Sequence, residues 1–216
     1  GPDPLFQRYP TRGFPSTVTI AASTRATLVA LDTALEERTG KSAAARDRRR
    51  AKIEAIHQRQ RTESAASVEA ASGERPISFS WASHCVGEAL PDDAIVVNEY
   101  PLIRPAMTFT RPGSFFGSSP VGGLGWGLPA ALGAKLAAPD RFVMAALGDG
   151  SYLFANPAVC HQIAAAHDLP ILIVVFNNEA WRAVERATKA MYPDGAAARS
   201  NIMPLVSLAP APHYDK

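Results

Sequence analysis

The feature that most limits the fold is a set of three almost wholly apolar runs, AIVVNE at 94–99, RFVMAAL at 141–147 and ILIVVF at 171–176. Each is short for a helix and none alternates. A strand with one wet face alternates apolar and polar residues, whereas a strand covered on both faces reads as continuous apolar sequence. The segments around these runs have helical character. GLPAALGAKLAAP (127–139) carries Pro129 near its first turn and Pro139 beyond its end. NPAVCHQIAAAH (156–167) offers Asn156 as a cap and Pro157 at the first helical position. SFSWASHCVGEAL (78–90) is expected to turn Trp81, Cys85 or Val86, and Ala89 to one side. Buried strands alternating with helices imply an α/β fold, a parallel sheet with helices on both faces.

The chain before residue 76 has another texture. STVTIAAS (16–23), with Val18 and Ile20 in alternation, is expected to be a short strand, and TRATLVALDTALEERTG (24–40) a helix with Leu28, Leu31 and Leu35 on one face and Gly40 as its C-cap. RDRRRAKIEAIHQRQRTESAAS (46–67) is a charged helix. It has no interleaved aromatics, and the net charge is only +2, so a solvated linker fits better than a nucleic-acid surface at Arg46 to Arg50. From YPDG (192–195) onward the chain reads as loop. The expected organisation is a closing segment of a central α/β domain (1–40), a charged helical linker (41–75) and a ligand-binding domain (76–216), incomplete at both ends. No run is long enough to cross a bilayer and the opening GPDPLFQRYP has no secretory pattern. Together with two unpaired cysteines, Cys85 and Cys160, expected as buried free thiols, this points to the cytoplasm.

The chemistry lies at two strand ends. One apolar run passes into Gly148-Asp149-Gly150 and then Ser151; the next ends on Asn177-Asn178. Parallel strands joined by a helix finish on the same edge of the sheet, where α/β folds bind ligands. One carboxylate with neutral oxygens around it suits Mg2+, which prefers few protein ligands and shares a bound phosphate ester. Flanking glycines let backbone N–H groups approach a diphosphate. The glycines of GGLGWGLPAALG are wrongly spaced for a dinucleotide fingerprint, and no Gly-Lys-Ser/Thr is present.

GDG, 26 residues and then NN resembles the cofactor signature of thiamine diphosphate enzymes. SSPVGGLGWGLPAALGAKLAAPDRFVMAALGDGS (118–151) is similar to the matching region of the acetolactate synthase, benzoylformate decarboxylase and pyruvate oxidase group. More loosely, DPLFQRYPTRGFP (3–15) is similar to the end of that group's central domain. The resemblance implies thiamine diphosphate and Mg2+ as cofactors and a 2-keto acid as substrate. It implies Asp149, Asn178 and the Ala180 carbonyl as metal ligands, and Gly150 and Ser151 against the diphosphate. Leu124 would wedge beneath the thiazolium and bend the cofactor, and the Gly122 carbonyl would hold the aminopyrimidine. Asn98, Glu99 and Tyr100 would border the phosphate, although NEYPLIRP departs from the family there. The family's activating Glu comes from a pyrimidine-binding domain of the same or a neighbouring subunit. Glu36, Glu37, Glu54 and Glu88 lie in the wrong segments for it, so no catalytic residue and no turnover are expected of this chain by itself. Trp181, Arg182 and Met191 are candidates for a substrate pocket, and His84 and His161 for packing or surface. The expected protein is thus part of a 2-keto acid lyase or transferase, in a homo-oligomer or hetero-assembly. The alternative is a non-catalytic cofactor-binding or assembly fragment.

Overall fold

The structure is a computed structural model that describes residues 17–18, 20–39, 43–117, 123–200, 203, 205–210 and 212–214. The chain forms two compact units, 1–60 and 61–216. The division falls inside a helix rather than at either of the expected linker ends.

In the first unit, helix α1 spans Thr24–Thr39 and the first part of α2 (Ala43–Ala70) follows. The expected strand at 16–23 is absent among the described residues: 17 and 18 form a bend and 20–23 are irregular. Val18 and Ile20 are exposed. Alternation alone does not make a strand, and the regular elements described in this unit are helices. Leu28, Leu31 and Leu35 share a face of α1 as the spacing requires, and all three are exposed. Gly40 lies outside the described residues.

The second unit holds the sheet. Its helices and strands are α3 (Phe79–Ala89), β1 (Ile95–Glu99), β2 (Phe115–Phe116), α4 (Gly127–Ala137), β3 (Val143–Gly148), α5 (Asp149–Phe154), α6 (Pro157–Ala166), β4 (Leu172–Phe176), α7 (Arg182–Met191) and α8 (Ala196–Arg199). The four strands run in the order β2-β1-β3-β4, and every pairing is parallel. The continuous apolar runs now have their cause. Ile95, Val97, Val143, Ala145 and Leu147 pack on one face with Leu128 and Leu132 of α4 and Cys160 of α6. Val96, Met144 and Ala146 pack on the other, with Leu102, Met107 and partly buried Val86 and Leu90. Successive strand residues point to opposite faces, so both sets must be apolar. At the end of the sheet opposite the Gly-Asp-Gly turn, the Arg141 guanidinium donates to Asp93 O (2.6 Å) and Ser114 Oγ (3.1 Å), tying the starts of β1, β2 and β3 together. Leu147 is 0% exposed, so Leu147→Ala is expected to cost about 3 kcal/mol. The test is a lower urea midpoint at unchanged m-value.

Three local expectations need correction. The inward side of α3 is Ser83 and Val86, whereas Cys85 and Ala89 are exposed. Ser83 Oγ bonds both Phe79 O and Ile103 N, which draws a polar residue inside. Of the two thiols only Cys160 is buried, and burial raises its pKa. A thiol reagent in excess is therefore expected to modify Cys85 rapidly and Cys160 only on unfolding, readable as one fast equivalent by mass. Asn156 does not cap α6 with its side chain. Its backbone is left-handed (φ 56), a conformation Asn tolerates, and its carbonyl accepts from Val159 and Cys160.

Candidate cofactor site

The strand tips are level. Glu99 of β1 pairs with Leu147 of β3, and Gly148 of β3 pairs with Phe176 of β4. The residues that leave these tips, Tyr100, Asp149 and Asn177, therefore emerge side by side on one edge. The same edge carries Asp149 and the Asn177-Asn178 pair.

Asp149 is not in an open turn. Strand β3 passes directly into α5, with Gly148 as the extended N-cap and Asp149 as the first helical residue. The carboxylate is 1% exposed. Its Oδ1 accepts from Gly150 N (2.9 Å) and its Oδ2 from Asn178 N (3.2 Å). The second bond joins residues 29 apart in sequence and closes the two strand tips on each other. Asn178 Oδ1 accepts from Ala180 N (3.1 Å), and Asn177 Oδ1 accepts from Glu179 N (3.1 Å), so the amide pair folds its own loop. Glu179 is left-handed (φ 54). The Ala180 carbonyl takes Arg182 N (2.8 Å), which leaves its second lone pair. Residues 206–208 run beside this loop: Trp181 N donates to Val206 O and Leu208 N to Glu179 O, each at 2.8 Å.

These groups open on a cavity of about 230 Å3, lined by Leu124, Asp149, Gly150, Ser151, Asn178, Ala180 and Trp181, with Phe79, Tyr100 and Phe176 among its apolar walls. A Cβ on Gly150 would stand 2.6 Å from the Trp181 ring, so only glycine lets the indole cover the start of α5. A larger cavity of about 370 Å3 lies between α4, α6 and β4, but none of the Gly-Asp-Gly or Asn-Asn residues lines it. Burial, followed by the negative charge of Asp149, pushes the Tyr214 phenol above its ordinary range. Among the described residues no three His, Cys, Asp or Glu side chains gather to hold a metal. The oxygen set at Asp149 has one carboxylate and otherwise neutral donors, the composition that suits Mg2+ rather than zinc.

Residues 101–211 match the family described as "Thiamine pyrophosphate enzyme, C-terminal TPP binding domain". The chain belongs to this family. It is 39% identical to sulfoacetaldehyde acetyltransferase of Alcaligenes xylosoxydans xylosoxydans over 80 residues, 37% of this chain and 13% of that protein. It is 32% identical over 134 residues to the acetolactate synthase isozyme 1 large subunit of Escherichia coli (strain K12), 57% of this chain and 22% of the relative. It is 38% identical over 98 residues to benzoylformate decarboxylase of Pseudomonas aeruginosa, 44% of this chain and 18% of the relative. The chain thus spans less than a quarter of the length of these curated relatives.

In this thiamine pyrophosphate-binding domain, Leu124 and Tyr100 line the cavity, while Gly122 lies outside the described residues. Glu99 has a different task from the one expected. It is 1% exposed, does not line the cavity, and gives both carboxylate oxygens to backbone amides, of Gly125 (2.7 Å) and Gly127 (2.6 Å). Arg182, expected at a substrate pocket, lines the cavity but also pairs with Glu185 (2.7 Å); Met191 is exposed and not in the lining. His161 meets the Tyr152 hydroxyl (2.7 Å), and His84 lies beside the Trp81 ring.

Two elements of the site escaped the sequence reading. Helix α5 is hidden by glycine on both sides of Asp149, a pattern that reads as a turn. Helix α7 carried a usable signal: Glu185 pairs with Lys189 (2.6 Å) and Arg182 at i,i+4 and i,i+3 spacing, and these bonds lower the Glu185 pKa.

Proposed function

We propose that the chain is the thiamine diphosphate- and Mg2+-binding portion of a 2-keto acid decarboxylase or carboligase. The observation that carries this reading is the Asp149 Oδ2 to Asn178 N bond at the level tips of β3 and β4. It ties the Asp149 carboxylate to the backbone N–H of Asn178, and both residues line a cavity that Leu124 also lines. The names of the relatives, a decarboxylase, a synthase and an acetyltransferase, support the reaction range.

Asp149, Asn178 and the Ala180 carbonyl would hold the Mg2+. Gly150 and Ser151, in the first turn of α5, would take the diphosphate, with Tyr100 at the border and Leu124 under the thiazolium. When bound, thiamine diphosphate supplies a carbanion equivalent and an electron sink. This chain's own residues bind and orient. The buried Asp149 carboxylate offers negative charge to a cation, and the Trp181 ring covers Gly150 and excludes water from the start of α5. The reaction partners would be a 2-keto acid and the pyrimidine-binding domain of the same or a neighbouring subunit, in an oligomeric and cytoplasmic enzyme. Among the described residues no helix is long and apolar enough to cross a membrane.

Calorimetry tests this directly. Thiamine diphosphate is expected to bind this chain in the presence of Mg2+ and to release on chelation, with thiamine itself binding far more weakly. Binding indifferent to Mg2+, or no binding, sinks the proposal.

A further inference from the structure

We propose that Glu99 is a positioning residue for the cofactor cavity, its carboxylate clamping the 123–127 turn so that Leu124 stands in the cavity wall. The inference rests on the reading of that cavity as a thiamine diphosphate site and assigns to Glu99 a task that acts through another residue. Glu99 is the last residue of β1, and its side chain is inside the protein. An ionised carboxylate taken out of water is costly unless its oxygens find donors. Here both do, through the short bonds to Gly125 N and Gly127 N. Two amides two residues apart, facing one side chain, need two acceptor oxygens on one rigid group. Glutamine has one, and its NH2 would oppose the second N–H.

The turn is boxed on its other sides as well. Gly125 is left-handed (φ +82), and a Cβ there would lie 2.8–2.9 Å from the backbone of Phe154 and Ala155. A Cβ on Gly127 would lie 2.6 Å from Leu147 Cδ2 and 2.9 Å from Glu99 Oε2. The turn is therefore held against the end of β1, the end of β3 and the end of α5, the same β3–α5 unit that carries Asp149. Gly127 also opens α4, so the carboxylate stands at the positive end of that helix.

The tip of β1 is built to send Glu99 inward. Asn98 accepts from Leu102 N (2.9 Å) and donates to Leu102 O (3.2 Å), closing the 98–102 loop. Tyr100 takes φ 82 and lines the cavity. Neighbouring residues thus divide the work: Tyr100 faces the cavity, and Glu99 holds the turn that carries Leu124.

The test is a double-mutant cycle on thiamine diphosphate affinity with Mg2+, using the wild type, Glu99→Gln, Leu124→Ala and the pair. Glu99→Gln is expected to weaken binding about tenfold, the scale of one lost charge-assisted hydrogen bond. In the Leu124→Ala background it should add little, because the residue it positions is gone. Hydrogen exchange gives a second readout. In the wild type the amides of Gly125 and Gly127 should be protected with those of β3, and in Glu99→Gln they should exchange while β3 stays protected. Wild-type affinity in Glu99→Gln, full additivity in the pair, or free exchange of the two amides in the wild type each overturns the proposal. Should Glu99→Gln not fold, the wild-type exchange decides. Failure of the functional reading looks different, since the wild type itself then binds no thiamine diphosphate.

Discussion

Asp149→Ala is expected to lose at least about 100-fold in Mg2+-dependent thiamine diphosphate affinity, equivalent to about 2.7 kcal/mol. The proposed donor set has a single charge, and that charge sits on Asp149. Asn178 and the Ala180 carbonyl are neutral, and neutral oxygens alone compete poorly with water for a small divalent cation. The carboxylate also accepts from Gly150 N and Asn178 N, so its removal unpairs two amides and loosens the contact between the tips of β3 and β4. Each unpaired buried amide costs about 1–3 kcal/mol. That cost is partly offset, because the variant no longer buries a negative charge whose bonding partners are only backbone amides. Stability without ligand should therefore fall modestly, while the rise in Tm produced by thiamine diphosphate with Mg2+ should vanish. Asp149→Asn narrows the comparison: it keeps one acceptor oxygen and the shape and removes the charge, while its NH2 opposes one of the two amides. Calorimetry and thermal melts on both variants make the measurement. Wild-type affinity in Asp149→Asn would show that the charge is not what holds the cation.

Gly125→Ala is expected to destabilise the fold by about 3 kcal/mol or more. The left-handed backbone alone costs an L-residue about 1–2 kcal/mol. The remainder comes from overlap: the new Cβ would sit 2.8–2.9 Å from Phe154 C, Phe154 O and Ala155 N. These are backbone atoms at the end of α5 and cannot swing aside as a side-chain tip can. Gly133→Ala supplies the opposite sign within the same region. It lies in α4, and a Cβ there meets nothing within 4 Å. Alanine should stabilise the helix by about 0.5–1 kcal/mol. Urea unfolding of both variants checks the pair, and equal shifts would contradict the packing described for the 123–127 turn.

The sheet was legible because burial on both faces leaves an unmistakable trace: 95–97 and 143–147 are apolar at every position since each face has its own helices to meet. The convergence of Asp149 and Asn178 was legible for a topological reason, as parallel strands joined by one crossover must end together. What could not be read depends on partners distant in sequence. Glu99 looked like a residue bordering the phosphate at a strand tip, and nothing near it in sequence announces that its oxygens serve amides 26 and 28 residues away. Val18 and Ile20 alternate as a strand would, yet Val18 lies in a bend and Ile20 in irregular backbone. Cys85 looked like core because four-residue spacing alone cannot say which side of α3 turns inward. Ser83 decides that, through bonds that tie Phe79 and Ile103 to it.

The direct passage of β3 into α5 has a kinetic consequence. With no linking residue between sheet and helix, the carboxylate and the amides of the first turn share the rigidity of the central strand, 0% exposed at Ala145, Ala146 and Leu147. On the proposed reading an incoming pyrophosphate would meet a preorganised cradle, with little conformational entropy left to surrender there on docking. Capture at this edge should follow single-step kinetics, its observed rate rising linearly with ligand concentration.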